Sequence, residues 1–273
     1  SWPSYRPLKR WKGEGMVTPL LDTTVPDETE PQAPLDGMLL FIRYAFMPNR
    51  LRYCGGDDNT TLFQHAIAGE TDGGVPPLLR KFTGAYPYLA LIARANGIAD
   101  PFDRRVVEAY WIGNALLERV EVRQLYDSLR ARYGKQLSGR TLDLVIGKAP
   151  AGARPHHSFH VFDVHSRAGE LEHSLDTMDN CRISWGRVTA IDGPVFVVAR
   201  QPLLLEAGKL ALGAAQPARI TRQVDDRGFA DRARVGDWLS IHWGWACDVL
   251  DEVQVRALER YTRYHLTLAN QTI

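Results

Sequence analysis

Apolar positions divide the chain after residue 36 into a helical part and a strand-rich part. From residue 37 to about 150, apolar side chains recur at helical spacing, which predicts a series of helices. The predicted helices cover 38–46, a segment that starts at Asn59 or Thr60, 86–95, 100–122 and 122–133. Pro48 is expected to end the first helix, because proline has no N–H for the helical hydrogen bond. The loop composition of 149–155 predicts a domain boundary.

The strand-rich part predicts a small closed β-barrel followed by one helix. Short apolar runs separated by turn residues follow Cys181, and their spacing is typical of a barrel. These runs lie at 188–191, 195–199, 203–205, 209–212, 218–222 and 238–243. The segment 251–266 has an apolar stripe at helical spacing and acidic residues at its start, which favour a helix N-terminus. We therefore predict an α+β protein with an all-α domain at 37–150 and a β domain at 151–273, the latter containing an OB-like barrel with a terminal helix at 181–266.

Residues 1–36 differ from both parts. They are rich in proline and carry the acidic patch 27–30. Such a composition does not bury a core, so we predict an extended arm. The arm either wraps the folded body or a partner through Trp2, Tyr5 and Trp11, or stays a poorly ordered tail.

Composition and charge exclude several classes of protein. The formal net charge is +1, which gives no general attraction to nucleic acid or anionic membranes. The three cysteines are too few and too widely spaced for a disulfide framework and suit a reducing compartment. No apolar run reaches membrane-spanning length, and the first residues lack the apolar centre of a signal peptide. The sequence favours a soluble, cytoplasmic protein with no nucleic-acid partner.

Cysteine and histidine residues are the candidate functional groups. Cys181 precedes a predicted strand, His242 lies in another, and we expect the two side chains to meet. Cys54 is expected just before a helix N-terminus, where the helix dipole would lower its pKa and favour a metal-binding thiolate. A buried structural cysteine is the alternative for Cys54. Cys247 is expected in the core.

Half of the histidines lie in one alternating segment, 156–165, which we interpret as a strand. His156 and His160 would share one face, and imidazoles near a thiolate suit a transition metal. The two are too far apart on a strand to chelate a metal without ligands from elsewhere. A surface strand with satisfied histidines is the alternative. His173 and His265 are expected to be exposed.

Residues 181 to about 266 resemble the HypC/HupF family of small assembly chaperones for nickel–iron hydrogenases. Two motifs carry the resemblance, and a helix with an acidic start follows them at the expected place. The first motif comprises Cys181, Gly186, Arg187 and the tripeptide at 191–193; the second comprises Val235, Gly236, Asp237, Trp238, His242, Gly244 and Ala246. The chain departs from the family pattern in that Cys181 is internal and Trp185 replaces a proline.

The resemblance implies a maturation or accessory factor. By analogy, Cys181 would bind iron, possibly in its cyanide- and carbonyl-bearing form, and His242 would lie beside it. Cys54, His156 and His160 are expected as further metal ligands. The implied partners are the hydrogenase large subunit or other hydrogenase maturation proteins.

Two other functions remain open at this stage. Cys181 and His242 could serve as nucleophile and base of an enzyme, or the histidines could hold a catalytic metal. Alternatively, the chain could be a protein-binding module without chemistry. No third orienting residue and no phosphate-binding glycine loop is evident in the sequence, so an assembly chaperone is favoured over an enzyme.

Overall fold

The computed structural model describes residues 36–168 and 174–273. Apart from Asp36, the predicted arm lies outside the described residues, and so does His173. Asp36 caps the first helix, its Oδ1 accepting a hydrogen bond of 2.7 Å from the Met38 N–H.

Helices form the chain from residue 37 to residue 168. They are α1 (Gly37–Arg50), α2 (Asn59–Ala68), α3 (Val75–Leu79), α4 (Tyr86–Ala95), α5 (Arg104–Trp111), a 3-10 helix (Ala115–Arg119), α6 (Val122–Tyr133), α7 (Gly139–Ile146), α8 (His157–Phe159), a π-helix (His160–His165) and α9 (Ser166–Ala168). The predicted helices at 86–95 and 122–133 are confirmed to the residue.

Two helix ends differ from the prediction. The expected end at Pro48 is wrong, because α1 continues to Arg50 and the burial of most of its residues outweighs one missing hydrogen bond. The expected single helix over 100–122 is also wrong. Gly113 adopts a φ of 101°, and the Tyr261 ring lies 2.1 Å from where a side chain at 113 would begin. The close approach of Tyr261 requires glycine here, and the chain turns into the 3-10 helix.

The segment 156–165 is helical, so the predicted strand is wrong. Residues 157–168, here named the histidine helix, comprise α8, the π-helix and α9. Residues 156–164 are all buried. A helix buried on every side lacks the polar face that produces a helical period, and a short alternating run of this kind is therefore easily mistaken for a strand.

The C-terminal part contains the predicted barrel. After α10 (Leu175–Cys181) come β1 (Ser184–Asp192), β2 (Val195–Arg200), β3 (Leu203–Glu206), β4 (Lys209–Leu212), β5 (Gln216–Thr221), β6 (Trp238–His242), β7 (Trp245–Leu250) and α11 (Glu252–Ala269). The closed barrel has the order β1-β2-β5-β7-β6, while β3 and β4 form a separate hairpin. Gln254 N–H donates to Asp251 Oδ1 at 2.8 Å and caps α11. The predicted α+β class, with helices first and strands plus a helix last, is confirmed.

One cluster of buried apolar side chains extends from α1 into the barrel. Within it, the Trp245 ring packs against Phe46 and Phe229 at centroid distances of 5.0 and 5.4 Å. Leu35–Ile273 forms one compact unit, and the domain limits at 37–150 and 151–273 remain predictions. Across the described part of the chain, no helix combines the length and the apolar character needed to cross a bilayer.

Candidate metal centre

A cavity of about 110 Å³ lies where the helical part meets the barrel, and most of the chain's candidate functional residues line it. We call it the Cys–His cavity. Its lining comprises Pro48, Tyr53, Cys54, Gly55, Phe82, Thr83, Gly84, Ala85, Tyr110, Trp111, His157, His160, His165, Cys181, His242 and Trp243. Two cysteines and four histidines from distant parts of the chain therefore face one space.

The pairing of β1 with β6 brings Cys181 and His242 together. The strands are antiparallel, with Ser184 opposite Ile241, so the start of β1 lies beside the end of β6. A hydrogen bond of 2.8 Å from the Trp243 N–H to the Asn180 carbonyl extends this contact past the strand ends. The expected meeting of the two side chains is thus a consequence of strand register.

The break that Pro48 makes in the hydrogen bonding of α1 helps to orient His242. In a regular helix the residue at 48 would donate its N–H to the carbonyl of Tyr44, four residues earlier, but proline has none. That carbonyl instead accepts a hydrogen bond of 2.6 Å from His242 Nδ1. Because a carbonyl can only accept, Nδ1 carries the proton. Nε2 is buried and has no hydrogen-bond partner among the described residues, so its lone pair is available to a ligand.

His157, by contrast, has hydrogen bonds at both ring nitrogens. Its Nε2–H donates to the Cys181 carbonyl at 2.8 Å. Its Nδ1 therefore accepts from the Tyr110 hydroxyl at 3.1 Å. In this arrangement His157 fixes the backbone of Cys181, and it can offer Nδ1 as a ligand once Tyr110 releases it.

The side chains of Cys181 and His242 are neutral at pH 7. Burial raises the pKa of Cys181 to about 12, although a hydrogen bond from the Trp243 side chain opposes the shift. Burial lowers the pKa of His242 to about 4 against the opposing effect of the Tyr44 and Cys181 backbone. Both shifts follow from the cost of placing a charge in an apolar site.

Cys54 also lies in the cavity, but its predicted low pKa is wrong. Burial raises the pKa of the Cys54 thiol, and the neighbouring Cys181 raises it further. Its helix, α2, begins only at Asn59, so the first-turn dipole does not reach the sulfur. The Asn49 side chain donates to the carbonyls of Cys54 and Gly56 at 2.8 and 2.6 Å and holds the loop in place.

The two remaining predicted ligands, His160 and His156, lie in different surroundings. His160 lines the cavity, and its ring stacks on His165 at a centroid distance of 5.6 Å. His156 does not line the cavity; its Nδ1 bonds the Ser158 hydroxyl at 2.8 Å. His265, predicted to be exposed, is fully buried and bonds the same hydroxyl at 2.7 Å. His156 and His265 thus form a separate hydrogen-bonded network.

Sequence reasoning did not identify His157 as the partner of Cys181 and His242. His160 follows His157 by three positions, which places both on one face of a helix but on opposite faces of a strand. Reading the segment as a helix would have grouped them. Cys247 lies in the core, as expected, and its thiol donates to the Trp245 carbonyl at 3.5 Å.

Comparison with known families places the chain in one of them. Residues 33–273 match DUF6390, described as a family of unknown function. The chain belongs to this family. Neither the curated proteins nor the solved structures contain a match.

The donor atoms of this DUF6390 chain can form a metal site. One ligand atom each from His157, Cys181 and His242 lie within 4.8 Å of one another, and all three residues are buried. Thiolate and imidazole donors suit zinc, copper and iron. A second thiol, Cys54, lines the same cavity, and the free volume could accommodate a few water-sized ligands beside an ion. The arrangement is therefore chemically suited to a soft transition metal with open coordination positions.

Proposed function

We propose that this protein binds a transition metal in the Cys–His cavity and acts as an accessory protein for a metal cofactor rather than as an enzyme. The convergence of Cys181, His242 and His157 within 4.8 Å supports the proposal most directly. Cys181 Sγ and His242 Nε2 are the main ligands, a ring nitrogen of His157 is the third, and the Cys54 thiol lines the same cavity.

The buried Nε2 of His242 fits this role. A metal-binding histidine usually donates its other N–H to a carbonyl or carboxylate, which fixes the ring and the tautomer. His242 has this arrangement, with Nδ1–H bonded to the Tyr44 carbonyl and Nε2 left without a partner among the described residues. A buried acceptor with no partner is unfavourable unless a ligand satisfies it.

The alternative, a Cys181–His242 nucleophile and base, has less support. A cysteine nucleophile needs a thiol pKa near or below neutral, and its base must be able to hold the proton. Burial moves both pKa values the opposite way, upward for Cys181 and downward for His242. A bound cation removes this conflict, because coordination deprotonates a thiol while the imidazole stays neutral.

The metal and the partners follow from the resemblance of residues 181–266 to the HypC/HupF family. We propose iron, with cyanide and carbonyl among its ligands, as the cargo, and the hydrogenase large subunit or other maturation proteins as partners. The open positions of the cavity support a cargo with small non-protein ligands, because few protein donors are then needed. Iron held there would supply a Lewis-acidic centre for such ligands.

Anaerobic loading with Fe(II) and with Co(II), which reports thiolate coordination by its absorption, tests the proposal. The native protein should bind one ion per chain and show a thiolate-to-metal charge-transfer band. Cys181→Ser should abolish this band, and His242→Gln should lower the affinity by about tenfold or more, as expected on loss of a ligand. Infrared spectra of protein purified from its native host should show cyanide and carbonyl bands.

Cys247→Ser is the matched control, because it changes the same type of side chain in the core rather than in the cavity. It should retain the band. If Cys181→Ser binds Co(II) as the control does, the metal-binding proposal is wrong. If the metal binds but native protein lacks the infrared bands, only the proposed cargo is wrong.

A further inference from the structure

A strained tryptophan lies at the mouth of the Cys–His cavity. Trp243 and Gly244 connect β6 to β7, with His242 paired to Trp245, and both residues of this two-residue turn have positive φ values, 52° and 66°. Such turns strongly favour Asn-Gly or Gly-Gly, because side chains larger than asparagine are strained at positive φ. A tryptophan at the first position goes against this preference. Violations of local backbone preferences of this kind are most common at functional sites.

Several contacts of Trp243 lie beside the cavity. Its backbone N–H bonds the Asn180 carbonyl at 2.8 Å, next to Cys181. Its ring stacks on Tyr53 at a centroid distance of 4.1 Å and an angle of 22°. Tyr53 directly precedes Cys54 and is 43% exposed. The stacked pair therefore joins the two segments that carry the cysteines, and on the Tyr53 side it reaches solvent.

The indole N–H is a possible partner of the Cys181 sulfur. Trp243 and Cys181 line the same cavity, and the Trp243 side chain lowers the pKa of the Cys181 thiol against the larger opposing effect of burial. Nε1 is the only donor that a tryptophan side chain has. The edge of the ring thus offers a donor on the side of the sulfur, while its face stacks on Tyr53.

We propose that Trp243 is a positioning residue of the metal site, whose indole N–H orients the Cys181 sulfur and whose stack on Tyr53 closes the cavity mouth and slows exchange of ligands with solvent. The inference deepens the proposed function and rests on it for the readouts that use bound metal. The strain at Trp243 is maintained because an asparagine or glycine, which the turn prefers, supplies neither the indole N–H nor the aromatic surface that stacks on Tyr53.

Three variants separate the two roles. Trp243→Phe keeps a ring for the stack and removes the N–H, whereas Tyr53→Ala keeps the N–H and removes the stack. Trp243→Asn removes both and suits the turn, so it is expected to fold with a melting temperature near that of the parent. Trp238→Phe, on the same hairpin but outside the cavity lining, is the control.

In metal-free protein, the rate of Cys181 alkylation by iodoacetamide, followed by peptide mass spectrometry, measures closure of the mouth. Tyr53→Ala and Trp243→Asn should increase the rate by about tenfold, in line with the loss of one aromatic stacking contact. Trp243→Phe and the Trp238→Phe control should stay close to the native rate. Equal rates in all variants would refute the closing role whether or not the protein binds metal.

In Co(II)-loaded protein, the energy of the thiolate-to-metal band and the rate of metal release to a chelator complete the test. Trp243→Phe should shift the band, because the sulfur loses a hydrogen-bond donor, while Tyr53→Ala should leave it in place and accelerate release by about tenfold. An unshifted band in Trp243→Phe would refute the orienting role. If Co(II) binds normally but the alkylation rates and the band do not change in the variants, the role of Trp243 is wrong and the proposed function is unaffected. If Co(II) does not bind but the alkylation rates change as expected, the proposed function is contradicted and the closure of the cavity mouth is supported.

Discussion

At the scale of single residues, a proline inside α1 helps to orient a histidine of the Cys–His cavity. Pro48 lies inside α1 and lines the Cys–His cavity, and the missing N–H at this position leaves the Tyr44 carbonyl to His242. The proline would be unfavourable in an ordinary helix, by roughly 3 kcal/mol. Because Pro48 lies four residues after Tyr44, it leaves the Tyr44 carbonyl free to accept the hydrogen bond that orients His242.

Pro48→Ala should therefore weaken the metal site while leaving the fold intact. The variant places a backbone N–H within reach of the Tyr44 carbonyl, where it competes with His242 Nδ1–H, so the imidazole loses part of its orientation. We expect Co(II) affinity to fall by about tenfold, the lower end of what is typical for partners of ligating histidines. Titration by absorption measures this affinity. Pro87→Ala, at the N-terminus of α4, is the control and should bind like the native protein, and unchanged affinity in both would contradict the role of Pro48.

Elements with a simple hydrophobic period could be predicted from the sequence, and buried ones could not. The helix α11 has one apolar stripe and a cap at Asp251, and the barrel strands are short runs between turn residues. Residues 157–164 of the histidine helix are all buried, so this segment carries no helical period. The long helix expected over 100–122 failed for a different reason, because the Tyr261 ring determines the break at Gly113 from 148 residues away in sequence.

The candidate site, too, could be predicted from the sequence only where local patterns determine it. Cys181 and His242 could be found because both lie on strands whose motifs are readable, and their proximity follows from antiparallel pairing. His157, Tyr44 and Tyr110 reach the site through packing of helices against the barrel, and no local pattern encodes that packing. Tertiary contacts therefore supply the parts of the centre that orient the ligands.

A buried ion pair anchors the π-helix that presents His160 and His165. Lys148 Nζ lies 2.9 Å from Asp163 Oδ1, with 3% and 0% of the two side chains exposed, and it also donates to the Leu268 carbonyl at 2.6 Å. Removing Lys148 leaves the Asp163 carboxylate buried with less compensation. Lys148→Met should lower the free energy of unfolding by about 3–5 kcal/mol, measured by urea denaturation.

Two comparisons make this prediction specific. Arg123→Met breaks the exposed pair with Asp127, whose side chains are 90% and 63% exposed, and should change stability by less than about 0.5 kcal/mol. The double variant Lys148→Met/Asp163→Leu removes both charges of the close pair and should recover part of the loss. A cost for Lys148→Met no greater than that for Arg123→Met would show that the ion pair does not anchor the π-helix.

At the scale of the whole molecule, five histidines of the described residues are buried in uncharged form, and this determines how the fold responds to acid. Burial lowers the pKa of His156 to about 3 and of His242 to about 4, and it lowers the pKa values of His157, His160 and His265 well below normal. Unfolding returns each imidazole to the ordinary histidine pKa of about 6.5. Below that pH the unfolded chain binds more protons than the folded one, so stability falls as the pH falls.

We therefore expect the free energy of unfolding to be nearly constant from about pH 8 to pH 7 and to decrease steeply from about pH 6.5 towards pH 4. Each buried histidine contributes up to about 1.4 kcal/mol per pH unit in this window, so that several together exhaust a typical stability of about 5–15 kcal/mol within a few pH units. Urea denaturation at successive pH values measures the slope. His156→Gln, outside the cavity, should reduce the slope by about one proton's contribution, whatever it does to stability at pH 7. A slope close to that of a protein with exposed histidines would mean that these imidazoles stay protonatable in the folded state, in which case the neutral Nε2 of His242 on which metal binding depends would not be maintained either.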